Sequence, residues 1–154
     1  MGHTKDLYRD FALAFWKIAR DDLGRAEDAM QEKAFSYVVF HSQQCVEKIV
    51  KALLEMKEIF SRDHDISDLF VLYFLKPENV DEQRKVYYDI LDSLEWFKGK
   101  WSASRYPFIK DGKVVTPSED FTEIEASIAL TRAKSVFHEI TSLLKKEYML
   151  EIID

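Results

Sequence analysis

Apolar residues recur at three- and four-residue steps along the start of this chain, and this repeat most constrains what the chain can fold into. One set, spread over residues 8–30, falls on a single face of a helix: Tyr8, Ala12, Phe15, Ala19, Leu23, Ala26 and Met30. A second apolar stripe on the same helix contains Leu7, Phe11, Ala14 and Ile18. Because a helix with two apolar sides needs two neighbours, we expect the second stripe to meet another helix or a second subunit.

The rest of the chain carries the same kind of signal over residues 33–57, 66–75 and 81–97, and in a last helix that ends near residue 149. That last helix has two candidate starts, since Thr116-Pro117-Ser118-Glu119 and Thr122-Glu123-Ile124-Glu125 are both capping boxes. The Asp111-Gly112 turn allows one small hairpin, for which the sequence offers no further sheet partner. Many short strands would need more than the four glycines and three prolines present. We therefore predict an all-α fold, a bundle of four long helices plus a short helix, in one domain over residues 1–154.

A basic segment stands out in a chain of net charge −6, which by itself argues against binding nucleic acid or anionic membrane through bulk electrostatics. Residues 98–113 contain five cations and one anion, a local charge of +4 that leaves −10 for the remainder. Aromatic residues that can stack on bases are interleaved with the cations: Trp96, Trp101, Tyr106 and Phe108. Free N–H groups at the start of the following helix would add affinity for phosphate. We predict an anion contact centred on Arg105, with Tyr106 and Lys110; the alternative is a solvated loop whose aromatic residues pack onto the bundle.

A polar line along the second helix is another candidate ligand site. It lies opposite the apolar stripe of that helix and consists of Tyr37, His41, Gln44, Lys48 and Lys51. An imidazole, an amide and an ammonium group in one line suit a base or a phosphate, which makes His41, Gln44 and Lys48 the predicted ligand contacts. The alternative is that these groups satisfy one another, or groups on the neighbouring helix, and fix the register of the bundle.

Several kinds of chemistry find no support in the sequence. The single cysteine, Cys45, lies in an apolar stripe and is expected to be a small buried hydrophobe. His41, His64 and His138 lie on separate predicted elements without a His-x3-His pair, so we expect no metal site and no cofactor, and we expect His64 to cap or brace a turn. No apolar run approaches the roughly 18 residues of a membrane span, and no secretory signal segment is visible. We expect a cytoplasmic protein.

The sequence resembles the HEPN family (higher eukaryotes and prokaryotes nucleotide-binding). The most specific match is the string AFSYVVFHSQQCVEKIVKALL at residues 34–54, which is similar to the signature helix of that family. His64-Asp65-Ile66 resembles the family's His-Asp-Leu at the start of the next helix, and Asp22-Leu23 resembles its first-helix pattern. Arg105-Tyr106-Pro107 and Phe121-Thr122 are similar to the segments before and at the start of the last family helix.

This resemblance implies an up-and-down helical bundle, commonly paired as a homodimer, that associates with nucleotides or RNA. It also implies a partner, since many members act beside a small nucleotidyltransferase in toxin–antitoxin-like pairs. This chain lacks the Gly-Ser and paired-Asp pattern of a nucleotidyltransferase, so it would be the partner of that enzyme. Some members are metal-independent ribonucleases that use an Arg-x4-6-His motif near the start of the last helix.

The chain departs from that ribonuclease motif. After Arg105, the positions that would hold the histidine are Lys110, Asp111 and Gly112. Arg132 and His138 have the right spacing, but a six-residue offset inside a helix places two side chains about 120° apart. We therefore predict a nucleotide- or RNA-binding module without catalytic activity of its own; a ribonuclease toxin and a ligand-free dimeric interaction module are the alternatives.

Overall fold

The computed structural model describes residues 5–77 and 83–153, apart from the side chains of Lys5, Asp6 and Trp101. Four long helices dominate it: α1 (Lys5–Gln31), α2 (Phe35–Glu55), α4 (Arg84–Phe97) and α7 (Glu123–Lys146). The shorter elements are α3 (Ser67–Phe70), which continues as a π-helical turn (Val71–Leu75), then α5 (Lys100–Ala103), β1 (Phe108–Lys110), β2 (Lys113–Val115) and α6 (Pro117–Asp120). The predicted all-α bundle is confirmed. The predicted start of the fourth helix at residue 81 lies outside the described residues.

Helix α2 forms the centre of the bundle. It packs most extensively against α1 and α7, and it also contacts α4, α5 and α6. Its apolar face is therefore almost completely buried, and its core residues include Val39, Ile49 and Leu53. Cys45 belongs to the same core, as predicted, and burial raises the pKa of its thiol far above the ordinary value, which keeps it un-ionised.

Polar contacts fasten α1 to the other end of the chain. The Trp16 indole N–H donates to Thr141 Oγ1 on α7 at 2.9 Å, and the Arg9 guanidinium donates to the backbone oxygens of Tyr148 and Met149 at 3.1 and 2.8 Å. The Trp16 ring is itself buried and lies 5.6 Å from the ring of Phe137. These contacts fix the relative position of α1 and α7 where they flank α2.

The segment between α4 and α7 is more ordered than the sequence indicated. Gly99, with a left-handed φ of 84°, separates α4 from the short helix α5. The predicted hairpin forms around Asp111 and Gly112, with Ile109 paired to Val114, and no other described strand joins it. Both capping boxes are used, because Thr116 begins the single turn of α6 and Thr122 begins α7. The two candidate starts are thus two consecutive helices.

The second apolar stripe of α1 is only partly uncovered. Phe11 packs edge-on against Phe60, which follows α2, with the ring centroids 5.6 Å apart. Leu7 and Ile18 remain exposed, at 44% and 43% of their surface. The loop after α2 thus covers part of the stripe that was expected to meet another helix or a second subunit.

Candidate functional site

Arg105 lies in a tight turn that presents its side chain beside the start of α2. The Ser104 hydroxyl donates to the backbone oxygen of Lys100 at 2.6 Å, and the backbone N–H groups of Arg105 and Tyr106 both donate to the oxygen of Ser102. These local bonds fix the direction of the chain after α5. The Arg105 guanidinium carbon then lies 5.2 Å from the ring centroids of both Phe40 and Tyr106, within the range of a cation–π contact.

A cleft of about 400 Å³ opens beside Arg105; we call it the Arg105 cleft. Its walls come from the start of α2, from the turn after α5 and from α6, and its lining residues are Ser36, Tyr37, Phe40, Ser104, Arg105, Pro117 and Ser118. Arg105 is the only ionised group among those lining residues. A guanidinium group binds phosphate through two parallel hydrogen bonds, and the surrounding hydroxyls and aromatic rings suit a sugar and a base.

His41 belongs to the same region because its ring stacks on that of Tyr37 at 6.4 Å and lies 5.0 Å from that of Phe40. Its Nδ1 atom is buried and has no hydrogen-bond partner among the residues that the structure describes. Burial, and to a lesser degree the positive charge of Arg25, lowers the pKa of His41, so the imidazole is neutral at neutral pH. The structure therefore brings three predicted residues, His41, Arg105 and Tyr106, together around Tyr37 and Phe40.

Gln44 and Lys48 belong to a different arrangement further along α2. Lys48 Nζ donates to Gln44 Oε1 at 3.1 Å and to Glu47 Oε2 at 2.9 Å, and Gln44 Nε2 donates to Gln43 Oε1 at 2.9 Å. These contacts support the alternative interpretation of the polar line, in which its members satisfy one another. Lys51, on the same line, is buried, because its side chain is only 6% exposed and pairs with Glu47.

Glu47 is the centre of this network, and it was not among the residues predicted from the sequence. Its carboxylate is 2% exposed and accepts from Lys48, from Lys51 at 3.2 Å, from Gln43 at 3.4 Å and from His64 Nδ1 at 3.0 Å. A signal was present, since Gln43, Glu47 and Lys51 follow one another at four-residue steps and thus share one helical face. The contact with Glu47 also confirms that His64 braces the turn after α2.

The charge state of Glu47 follows from this environment. Burial alone would raise the pKa of its carboxyl group. The pKa is nevertheless lowered, because burial is outweighed by the charge of Lys48 and its hydrogen bond, by the charge of Lys51 and by the hydrogen bond from His64. Glu47 is therefore a buried anion near neutral pH. Its loss of hydration is offset only by these donors, which makes the network sensitive to any change in one member.

A smaller cleft of about 210 Å³ opens beside this network; we call it the Glu47 cleft. Apolar side chains of Val46, Ile66, Leu94 and Phe97 line it, together with the polar residues Gln43, Glu47, His64, Asp65, Ser67, Lys98, Gly99 and Ser102. Lys98 Nζ lies 3.8 Å from Asp65 and 3.5 Å from Glu95, so one cation at its rim is already paired. A cleft with an apolar floor and polar edges suits a small planar ligand.

The basic segment is less positive in three dimensions than in sequence. Lys110 on β1 forms an ion pair with Asp120 on α6, and Lys98 is paired as described above. The predicted Lys110 contact is therefore separate from the Arg105 cleft, whose lining does not include it. Fewer free backbone N–H groups are present at the starts of α6 and α7 than expected. Pro117 has no N–H group, and the N–H groups of Glu119 and Glu125 donate within the capping boxes.

Arg132 and His138 have the spacing of the ribonuclease motif, but their side chains contact different parts of the protein. The Arg132 guanidinium donates to Asp92 Oδ2 at 2.9 Å and to Ser93 Oγ at 3.2 Å, and it lies over the Trp96 ring. His138 lines a separate groove near the C-terminal half of α7. Arg132 thus fastens α7 to α4, and the pair does not converge on one cleft.

Two negative findings concern the described residues. They contain no group of three or more His, Cys, Asp or Glu side chains arranged to hold a metal ion. Among the helices that the structure describes, none is long and apolar enough to cross a membrane.

The helical bundle has the fold of the HEPN domain class. Residues 12–145 match the family described as HEPN domain, and the chain therefore belongs to that family. The Methanocaldococcus jannaschii protein named "Putative toxin MJ1304" is 34% identical over 145 residues, which cover 93% of this chain and 94% of that protein.

Two solved structures share the fold. The archaeal HEPN homologue ST0689 superposes with a TM-score of 0.65 at 28% identity, covering 87% of this chain and 98% of the other. TT1696 from Thermus thermophilus superposes with a TM-score of 0.67 at 22% identity, covering 85% of this chain and 96% of the other. At that identity the second similarity concerns the fold alone.

Proposed function

We propose that this chain is a nucleotide- or RNA-binding HEPN module that holds a phosphate group at the Arg105 cleft. The observation that carries the proposal is the position of the Arg105 guanidinium, which lies 5.2 Å from the ring centroids of both Phe40 and Tyr106 at the wall of an open cleft. A planar cation in that position offers a bidentate contact for phosphate, while the adjacent rings offer faces for stacking.

Calorimetric titration of the purified chain tests the proposal directly. Titration with a nucleoside triphosphate, and separately with a short single-stranded oligoribonucleotide, should give saturable binding that weakens as salt is added, because the contact with phosphate is electrostatic. The absence of saturable binding for both ligands at low salt would remove the proposed site.

The family and the relative named as a toxin support a proposal about the cellular role. We propose that the whole chain, residues 1–154, acts as one domain in the cytoplasm and pairs with a small nucleotidyltransferase in a toxin–antitoxin-like system. Co-expression with a small nucleotidyltransferase from the same organism, followed by co-purification, tests this pairing. Independent migration of the two proteins would contradict it.

We also propose a homodimer, with the exposed part of the second α1 stripe in the interface. Leu7 and Ile18 are apolar and exposed on α1, and a standard interface buries about 800 Å² per partner. Ile18→Asp should shift sedimentation at micromolar concentration from dimer to monomer while leaving the helical circular dichroism unchanged.

Ile124→Asp is the matched control for the dimer, because Ile124 is equally apolar and 75% exposed but lies at the start of α7. It should remain a dimer. A wild-type chain that sediments as a monomer at micromolar concentration would contradict the proposal.

The isolated chain should not cleave RNA. No histidine follows Arg105 at the required spacing, and the Arg132 guanidinium already donates hydrogen bonds to Asp92 and Ser93. Incubation with single-stranded RNA without metal should therefore leave the RNA intact. Cleavage that is abolished by Arg132→Ala or by His138→Ala would overturn this prediction and support a ribonuclease toxin instead.

A further inference from the structure

The Arg105 cleft and the Glu47 cleft follow each other along one side of α2. Tyr37 and Phe40 line the first, and Gln43 and Glu47 line the second. The offset of seven positions from Phe40 to Glu47 corresponds to a rise of about 10 Å along a helix. Both clefts take their opposite wall from the same short stretch, since Gly99 and Ser102 line the Glu47 cleft while Ser104 and Arg105 line the Arg105 cleft. They are therefore neighbouring clefts between α2 and the stretch from Gly99 to Arg105.

The two clefts differ in their ionised groups. Arg105 gives the lining of its cleft a charge of +1. In the Glu47 cleft the ionised groups are paired with one another, Glu47 with Lys48 and Lys51, and Lys98 with Asp65 and Glu95. A phosphate there would have to compete with these carboxylates for a cation, whereas a neutral ring with donor and acceptor edges would not. The electrostatics thus favour an anion at the Arg105 cleft and a neutral group at the Glu47 cleft.

The shape and hydrogen-bonding groups of the Glu47 cleft suit a heterocyclic base. Its floor is apolar, with Ile66 and Phe97 among the lining residues, so a flat ring can be buried there. Its edge carries the His64 imidazole, whose orientation is fixed by the 3.0 Å contact between Nδ1 and the buried Glu47 carboxylate. Side chains held in one orientation recognise a ligand without a large loss of conformational entropy.

We propose that the Glu47 cleft is a base-binding subsite, which receives the base of a nucleotide or RNA residue whose phosphate is held at Arg105. The distance of about 10 Å along α2 is one that a single extended nucleotide, or two successive RNA residues, can cover. This inference rests on the proposed function, because it assigns the second half of the ligand to a second cleft.

Nucleosides separate the two subsites because they carry a base but no phosphate. Amide chemical shifts of the isotope-labelled chain should be followed during titration with adenosine, guanosine, cytidine and uridine, and separately with inorganic pyrophosphate. At least one nucleoside should shift the amide signals of Gln43, Glu47 and Gly99 in a saturable manner, and pyrophosphate should shift that of Arg105. Arg105→Ala should leave the nucleoside affinity unchanged and abolish the response to pyrophosphate.

Ser102→Phe tests the base subsite by blocking it. Ser102 is exposed on α5 and lines the Glu47 cleft, so a bulky ring there should fill the cleft without disturbing the core. The nucleoside affinity should fall about tenfold or more, which corresponds to about 1.4 kcal/mol or more, while pyrophosphate still binds. Ser127→Phe, at an exposed serine on α7, is the matched control and should bind like the wild type.

The outcomes distinguish the two proposals. If pyrophosphate and nucleotides bind through Arg105 but no nucleoside binds, or if Ser102→Phe leaves nucleoside affinity unchanged, the base subsite is overturned and the proposed function remains. If neither pyrophosphate nor any nucleotide binds, the proposed function fails, and this inference fails with it.

Discussion

Replacing Glu47 by glutamine should lower the free energy of unfolding at neutral pH by about 3–5 kcal/mol, the usual cost of breaking a buried ion pair from one side. The reason is that Lys51, whose side chain is 6% exposed, would lose the carboxylate that compensates its charge, and Lys48 would lose its 2.9 Å partner. Urea unfolding followed by circular dichroism measures the change. A loss below about 1 kcal/mol, the range of an exposed ion pair, would contradict the interpretation of Glu47 as a buried anion.

The size of this effect should depend on pH in a defined direction. The pKa of Glu47 in the folded chain lies below the ordinary value of 4.5, so the unfolded chain binds a proton more readily as the pH falls. The stabilisation from the carboxylate is therefore complete above the unfolded-state pKa and is lost as the pH falls through the folded-state pKa. The difference between wild type and Glu47→Gln should shrink in unfolding experiments carried from about pH 7 to about pH 3.

Two further variants identify the cause of the destabilisation. Adding Lys51→Met to Glu47→Gln removes the more deeply buried of the two stranded cations, so the double variant should recover part of the lost stability. Glu27→Gln is a matched control, because Glu27 is half-exposed and pairs with Lys134 at 3.8 Å on the surface. It should change the free energy of unfolding by about 1 kcal/mol or less.

Arg105→Ala should weaken the binding of a nucleoside triphosphate or an oligoribonucleotide by about 10- to 150-fold. This range corresponds to the roughly 1.5–3 kcal/mol of a hydrogen bond to a charged group. Arg105→Lys should recover only part of the loss, because an ammonium group keeps the charge but cannot form two parallel contacts with phosphate. Calorimetric titration of both variants against the same ligand gives the comparison.

Thermal melts separate a ligand contact from a structural role at this position. The ring contacts of Arg105 with Phe40 and Tyr106 are exposed cation–π contacts, each of which contributes about 0.5–1 kcal/mol, so the Tm should fall only slightly. Arg62→Ala is the matched control, since Arg62 also lies over a phenylalanine ring, that of Phe60 at 5.8 Å, but outside the Arg105 cleft. Unchanged affinity in folded Arg105→Ala would remove Arg105 from the site.

Local sequence signals predicted the helices and their ends well, because they depend on residues a few positions apart. The repeat of apolar residues fixed the long helices, and the two capping boxes marked the starts of α6 and α7. The sequence left open which box would be used. The structure uses both, since Phe121 between them adopts an extended conformation and its side chain is buried.

The candidate site could be predicted only in part, because long-range partners change what a residue can do. Arg105 follows from local charge and from the resemblance to the family, but the cation sum over residues 98–113 does not show that Lys98 is paired with Asp65 or Lys110 with Asp120. The sequence placed His41, Gln44 and Lys48 in one line. In the tertiary structure His41 packs against the aromatic residues near Arg105, whereas Gln44 and Lys48 belong to the hydrogen-bond network of Glu47.

The sequence by itself determined the bundle of helices, the buried position of Cys45 and the membership of the HEPN domain family. Only the tertiary structure decided that the Glu47 carboxylate is buried and that Phe60 partly covers Phe11. The physical reason is that a helical repeat shows which side chains share a face but not what packs against that face. For Glu47 and Phe11 that neighbour is supplied by the chain after α2, which reaches back over the bundle through Phe60 and His64.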